Sequence, residues 1–172
     1  TKIGDGGWFP LAVGLGVFTM MTTWKRGREA LAAFIKEATM PIDLFLADID
    51  QTKPVRVKGA AVFMTSNPDG APPVLLHHFK HNKVLHEKVV LLSIATQHVP
   101  EVTRDKRIRH IKDLGHGLYQ VTADFGFMQT PNVLEVMGLC AQAGLEIAYD
   151  DTSFFLGKET LIVTERKGLA RW

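Results

Sequence analysis

The histidines are the residues of this chain whose type and spacing most resemble a metal-binding site. His77 and His81 lie four residues apart in a predicted helix, so both imidazoles would share one face, a spacing that can hold zinc. His78 and His86 lie nearby. A hydrolytic zinc helix also carries a glutamate between its histidines, and the sequence points to no third ligand. We therefore predict no metal site, and interpret these side chains as a polar helix face bonded to backbone or water.

The other candidate residues do not form a catalytic pattern. Asp150 and Asp151 are adjacent, so their side chains point apart, and they suit turn chemistry better than acid–base catalysis. Cys140 on a predicted helix is typical of a small buried hydrophobe. Lys158 and Glu159 lie in a predicted turn, where solvated side chains are the rule. With no phosphate loop and no nucleophile elbow, we predict no catalytic or cofactor-binding residue, and no enzyme.

Composition narrows the class of protein further. The 172 residues include 20 basic and 18 acidic side chains, a net charge of +2, which is no electrostatic footprint for nucleic acid. The single cysteine excludes an internal disulfide and fits a reducing compartment. The residues that follow position 28 are enough for one domain with its own hydrophobic core.

An apolar stretch from Trp8 to Trp24 is predicted to be a membrane-spanning helix. Its 17 residues reach roughly 25 Å as a helix, slightly short of a bilayer core of about 30 Å, and local thinning of the bilayer would close the gap. The tryptophan at each end suits the aromatic belts of a bilayer. Lys25, Arg26 and Arg28 follow directly, so the positive-inside rule places the residues after the stretch in the cytoplasm.

Two alternatives to a span stay open for this stretch, a buried core helix and a signal peptide. A signal peptide carries its charges before its apolar core, the reverse of the order here. A buried helix is the stronger alternative, because the apolar content of the whole chain, 46%, is ordinary. We assign residues 1–28 to the transmembrane helix and its basic flank, residues 29–56 to connecting helices and a linker, and residues 57–172 to a domain.

Helical and strand patterns alternate along the rest of the chain. Residues 28–38 carry apolar residues on one helical face, and either continue the span or lie along the membrane surface. Pro41 breaks this helix and starts a short one over residues 41–49. Further helices are predicted at 72–85 and 131–143, the second one started near Thr130 and closed by Gly144. Strands are predicted at 57–65, 88–96, 106–114, 118–127, 153–156 and 160–164.

The order of these elements predicts the fold class of the domain. Residues 106–127 form a hairpin around a tight turn at 115–117, and its first strand, half exposed, is expected at an edge. With two helices against several strands, we predict an α/β (α+β) domain. Its sheet is mixed or antiparallel with helices on one face, rather than a doubly wound parallel sheet.

Five segments of the chain resemble the Kup family of potassium uptake permeases. They are GGWFPL, MTTWKRGR, GAAVFMTSNPDGAPPVLLHHFKHNKVLHEKVVLLSIAT, DLGHGLYQVTADFGFMQTPNV and DTSFFLGKETLI. The first two resemble the last membrane span of the family and the others its cytoplasmic domain, in one order from about Ile3 to the end. The helix with four histidines belongs to the family pattern, so the resemblance implies no metal there.

The resemblance implies a secondary transporter that brings potassium into the cell, coupled to protons, through a bundle of spans in the bacterial inner membrane. The ion-binding residues of the family lie in earlier spans, so no transport-ion site is expected in this chain. We expect the chain to be a piece cut at both ends, with its last span and most of a C-terminal cytoplasmic domain. Its partners would be potassium, protons, the bilayer, the remaining transmembrane helices and a second copy, with no nucleic acid.

Three interpretations of the cytoplasmic domain stay open. It could be a regulatory and assembly module, which dimerises or senses a ligand that binds two states of the transporter differently. It could be an enzyme acting on nucleotides, against which the missing phosphate loop argues. It could be a membrane-anchored scaffold, or a ligand-sensing domain, with no transport role of its own.

Overall fold

The structure is a computed structural model that describes residues 8–66 and 70–157. The chain divides into two compact units, Thr1–Met40 and Pro41–Trp172. The predicted strand 160–164, with Lys158 and Glu159 before it, lies outside the described residues.

The first unit contains one long helix, α1, which runs from Trp8 to Ala38 without interruption. Residues 28–38 therefore continue the apolar helix, the first of the two predicted alternatives. Thr19 and Thr22 donate their hydroxyls to the carbonyls of Leu15 and Phe18, which satisfies these polar groups within the helix. Its large apolar side chains are exposed, among them Trp8, Phe9, Leu11, Leu15, Phe18, Met20, Met21 and Trp24.

The predicted membrane span is not confirmed. Among the helices of residues 8–66 and 70–157, none reaches both the length and the apolar character that crossing a membrane requires. The physical reason is the composition of α1. Its uncharged run ends after 17 residues at Lys25, and glycines, a proline and threonines dilute the apolar residues within that run.

The second unit begins with a short helix that packs on its core. Helix α2 covers Ile42–Thr52 and buries Phe45 and Ile49, while Lys53 in a left-handed conformation closes it. The helix predicted from Pro41 is confirmed, and it extends three residues further into the segment expected to be a polar linker.

The remaining elements form a five-stranded sheet with helices between its strands. Two-residue strands β1 (Met40–Pro41) and β3 (Gly70–Ala71) lie outside that sheet. Its strands are β2 (Val55–Thr65), β4 (Val84–Gln97), β5 (Ile108–Gly115), β6 (Leu118–Gly126) and β7 (Thr152–Phe155). The helices are α3 (Pro73–Asn82) and α4 (Val133–Gln142). The strand order is β5-β6-β4-β2-β7, with β6, β4, β2 and β7 parallel and β5 antiparallel to β6.

The expected mixed sheet is confirmed, but the expected single helical face is wrong. Helix α3 connects the parallel strands β2 and β4, and α4 connects β6 and β7. One core joins α2 and α3 to the sheet through residues such as Phe63 and Leu91. A second core joins α4 to the opposite face through residues such as Val90 and Leu92. The continuous apolar run of β4 reflects this burial on both faces.

The predicted helix 72–85 ends three residues early. Lys83 adopts a left-handed conformation with φ of 55°, and its backbone N–H caps α3 on the carbonyl of Phe79. Val84 and Leu85 consequently belong to β4, which is longer than the predicted strand. A lysine is an uncommon residue for this conformation, so the position that closes the helix lacks the usual glycine or asparagine.

Helix α4 is defined by recognisable signals at both ends. Asn132 accepts hydrogen bonds from the backbone N–H groups of Leu134 and Glu135, two residues after the predicted cap at Thr130. At its other end, the predicted closing residue Gly144 has φ of 94°, and Leu145 N–H bonds to the carbonyl of Cys140.

A buried ion pair attaches the start of β5 to α4. Nη1 of Arg107 lies 2.6 Å from Oε1 of Glu135, and the side chain of Arg107 is only 7% exposed. The same guanidinium donates to the carbonyl of Val102 at 3.0 Å and lies 4.6 Å from the ring centre of Phe125. Arg104 also contacts Glu135, but its side chain is 78% exposed.

Removing the carboxylate of this pair should destabilise the domain strongly. Glu135→Ala leaves the buried Arg107 charge uncompensated, so we expect the free energy of unfolding to fall by about 3 kcal/mol. Urea unfolding of the purified chain, followed by far-UV circular dichroism, measures this loss. The matched control Arg104→Ala removes only the exposed partner and should cost less than about 1 kcal/mol. Equal losses in the two variants would contradict the assigned role of the buried pair.

One glutamine fastens together the loops that follow β4 and β6. The carbonyl oxygen of Gln129 accepts from the N–H groups of Gly126 and Val102, at 2.9 and 3.0 Å, and its amide donates to the carbonyl of Val102 at 3.1 Å. Backbone bonds from Phe127 to Val99, and from the next residue to Pro100, run alongside. These bonds satisfy backbone groups where the parallel strands end.

Replacing Gln129 should therefore cost more than an ordinary surface substitution. Gln129→Met keeps the length of the side chain but leaves partly buried backbone groups unpaired, so we expect a loss of about 2 kcal/mol in the free energy of unfolding. The same urea titration measures it. Thr130→Ala, at the exposed neighbouring position, is the control and should change stability by less than about 0.5 kcal/mol. A neutral Gln129→Met would show that the loops hold without this side chain.

Candidate functional site

Helix α3 presents its histidines in two different environments. His77 and His81 are exposed, with their rings parallel at a centroid distance of 6.0 Å. The predicted shared face is therefore present, but it offers only two ligands. Across residues 8–66 and 70–157, no group of three or more His, Cys, Asp or Glu side chains converges as a metal ion would need.

His78 and His86 lie instead in an aromatic cluster with Phe63 and Phe155, here called the histidine–phenylalanine cluster. The two imidazoles are 6.0 Å apart between ring centres. His78 meets Phe63 and Phe155 edge to face, at 5.6 and 4.9 Å. The phenylalanine rings stack on each other at 4.6 Å and 10°. The cluster thus joins α3, β4, β2 and the edge strand β7.

The polar atoms of this cluster are poorly satisfied. Nδ1 of His78 and Nδ1 of His86 are buried, and neither has a hydrogen-bond partner among the described residues. The described backbone therefore supplies no bond to these two atoms, and the interpretation of the histidines as bonded to backbone or water stays a prediction. The pKa of His78 is lowered below its ordinary value, mainly by burial and to a smaller extent by the neighbouring His86.

Arg56 adds a permanent positive charge beside the cluster. Its Nη1 donates to the backbone carbonyl of His86 at 3.0 Å, and burial lowers the pKa of its guanidinium. The ion pairs formed by residues in the described part of the chain involve other side chains, so none gives a carboxylate to His78, His86 or Arg56. Sequence reasoning missed Arg56 and Phe155, because a backbone acceptor and a distant edge strand leave no local pattern.

The other candidate residues have structural surroundings. Asp150 and Asp151 lie in a short 3₁₀ turn before β7. Asp151 packs against Gly59, whose φ of 94° and missing Cβ allow this approach. Cys140 is buried in the core under α4, and burial raises the pKa of its thiol to about 11. It therefore stays a protonated and unreactive thiol at neutral pH.

The arrangement can change its charge, but it shows no constellation for bond-making chemistry. A nucleophile needs a base within hydrogen-bond reach, and Cys140 is an isolated buried thiol. Within the histidine–phenylalanine cluster, the imidazole of His78 is the group whose pKa is lowered by its surroundings. The described residues thus offer a titratable cluster between helix and sheet.

Known proteins similar to this chain are potassium transport proteins. The family model described as "K+ potassium transporter C-terminal domain" matches residues 58–172. "Probable potassium transport system protein Kup" of Myxococcus xanthus (strain DK1622) is 48% identical over 171 residues, which cover 99% of this chain and 26% of the relative. The protein of the same name in Anaeromyxobacter dehalogenans (strain 2CP-C) is 51% identical over 176 residues, with the same coverage of each.

A further relative, "Probable potassium transport system protein Kup 2" of Chromobacterium violaceum, is 46% identical over 171 residues, 99% of this chain and 27% of the relative. The chain thus spans about a quarter of the length of these relatives. No solved structure matches it. The names of the relatives confirm the resemblance to Kup proteins and agree with the prediction that the chain is no enzyme. The chain belongs to the family of K+ potassium transporter C-terminal domains.

Proposed function

We propose that this chain is the C-terminal part of a secondary active potassium transporter, which imports potassium by symport with protons. The observation that carries the proposal is the alignment of 99% of the chain, at about half identity, with potassium transport proteins. In this proposal the ions pass through parts of the parent that the chain does not include. The chain itself contributes no transport-ion site.

The parent is proposed to be a multi-pass protein of the bacterial inner membrane, with this domain on the cytoplasmic side. The exposed apolar side chains of α1 need an apolar cover, which lipid and the remaining helices of the parent would supply. The basic cluster of Lys25, Arg26 and Arg28 supports the cytoplasmic side, since such clusters stay there. The proposed boundaries remain 1–28 for the membrane-associated helix, 29–56 for the connection and 57–172 for the domain.

The role proposed for the domain is regulation or assembly of the transporter. The described residues form a packed three-layer domain, whose titratable cluster lies between α3 and the sheet. Such a cluster can bias two conformations only when it binds a ligand or proton differently in each. A second copy of the chain is a proposed partner for assembly.

A second candidate is a membrane-anchored α/β scaffold, or a ligand-sensing domain, with no transport role of its own. The observation in its favour is the tight packing of both cores, where Phe63, Leu91 and Val90 have essentially no exposed surface. Such packing by itself gives folding stability without implying any coupling to transport.

Rubidium uptake in bacteria that lack their own potassium uptake systems tests the proposal. The full-length parent should restore uptake, and a version that stops after Ala38 should reach the membrane at an equal level but take up rubidium several-fold more slowly, because it lacks the regulatory domain. The matched control is the full-length parent carrying His81→Gln, an exposed substitution, which should transport normally. Equal uptake by the full and shortened forms would favour the scaffold. Absence of uptake by the parent would overturn the proposed substrate.

A further inference from the structure

The histidine–phenylalanine cluster has a feature that ordinary aromatic packing does not need. Two imidazoles lie side by side, each with a buried Nδ1 that lacks a hydrogen-bond partner. A neutral imidazole can leave one nitrogen as an unused acceptor at modest cost. A protonated imidazole has N–H donors on both nitrogens, and a buried cationic donor without an acceptor is expensive. The geometry of the cluster therefore fits the neutral form of both histidines.

We propose that His78, packed against His86 and Phe155, is a proton-binding site, and that its protonation loosens the packing of α3 and β7 on the sheet. The consequence for transport rests on the regulatory function proposed above. At neutral pH the cluster is closed and uncharged. On acidification it takes up a proton and opens, so that the domain reports the pH of the surrounding compartment to the transporter.

Among the described residues, the groups around His78 supply no paired carboxylate for a proton on this side chain. The pKa of His78 is lowered first by burial and then by the neighbouring His86 of β4. β2 contributes the apolar Phe63, and the guanidinium of its Arg56 is bonded to the His86 carbonyl. β7 contributes Phe155 and no charged residue. The ion pairs among residues 8–66 and 70–157 involve other side chains.

The cluster holds β7, a short strand at the edge of the sheet formed by the described residues. Its four residues pair with β2. Its Phe155 ring stacks on Phe63 and meets both histidine rings, at 4.9 and 6.3 Å. Protonation of His78 puts a donor on its buried Nδ1, which has no acceptor among the described residues. Short strands with few anchors are typical of segments that open locally.

The direction of the pH effect follows from proton linkage. The folded cluster binds a proton on His78 more weakly than the open state does, because the pKa of His78 is lowered in the folded form. The closed contact is therefore fully present above the ordinary histidine value of 6.5, and it is lost as the pH falls through the lower pKa of the folded form.

Local opening of α3 and β7 is the direct measurement of this proposal, because the global stability of the protein sums the contributions of all its titratable groups. Hydrogen–deuterium exchange of the full-length parent in detergent, corrected for intrinsic exchange rates, resolves α3 and β7 separately. Between about pH 7.5 and about pH 5.5 we expect protection of Pro73–Asn82 and Thr152–Phe155 to fall several-fold, because the open state binds the proton on His78 more tightly than the closed state does. In His78→Phe, which keeps a ring but binds no proton, the change should be less than about twofold.

Matched variants test whether the loss of protection at low pH depends on His78 or is a general effect of acid on the protein. His81→Gln, on the exposed face of the same helix, should keep the several-fold loss of protection, whereas His86→Gln should reduce it. The same pH dependence in the wild type and His78→Phe, or no pH dependence in either, would overturn the proposal. If His78→Phe does not fold, the wild type decides by nuclear magnetic resonance titration. A His78 pKa at or above the ordinary value would then overturn the proposal, and a lower one would support it.

A transport measurement separates this inference from the proposed function. Rubidium uptake by the parent and by its His78→Phe variant is followed while the internal pH is clamped. If local opening follows pH, and rubidium uptake by the wild type changes with internal pH more than uptake by the variant does, the proton site and the regulatory function both stand. If local opening follows pH but uptake is the same in both proteins at every internal pH, the proton site stands and the regulatory function fails.

Discussion

The strand at the centre of the sheet must be covered on both faces, and the rest of the domain follows from that requirement. β4 directs Val89 and Leu91 to one core, and Val90 and Leu92 to the other. A strand without a solvent face needs a helical layer on each side. α3 and α4 supply these layers as crossovers between parallel strands, while the hairpin turn forces β5 to run antiparallel.

Only part of this architecture can be predicted from the sequence. The apolar run of β4, the hairpin of β5 and β6, and the capped helix α4 each carry a local pattern, and each was predicted. The placement of helices on both faces was not predicted, because counting helices does not reveal which side each crossover takes. The end of α3 was missed for a different reason, since Lys83 enters the left-handed conformation without a glycine or asparagine to indicate it.

Polar interactions that hold the layers together were the least predictable feature. Arg107 meets Glu135, and Gln129 meets Val102, each across a gap of more than twenty residues. Periodicity reports the apolar face of an element, but it does not report which polar residue of another element lies opposite. The domain still depends on these contacts, because a charged or amide side chain that is buried at the end of a strand must find its partner there.

The histidines of α3 show why spacing alone selects the wrong pair. A separation of four residues draws attention to His77 and His81, yet both side chains are exposed to solvent. His78 has no histidine four residues away on its own helix. It meets His86 and Phe155 only after β4 and β7 have been placed by the crossovers. Burial couples the protonation of His78 to packing, because the charged ring loses solvation and its Nδ1 has no acceptor among the described residues. Chemistry in this domain therefore arises from the sheet topology that assembles the cluster, rather than from a motif within one element.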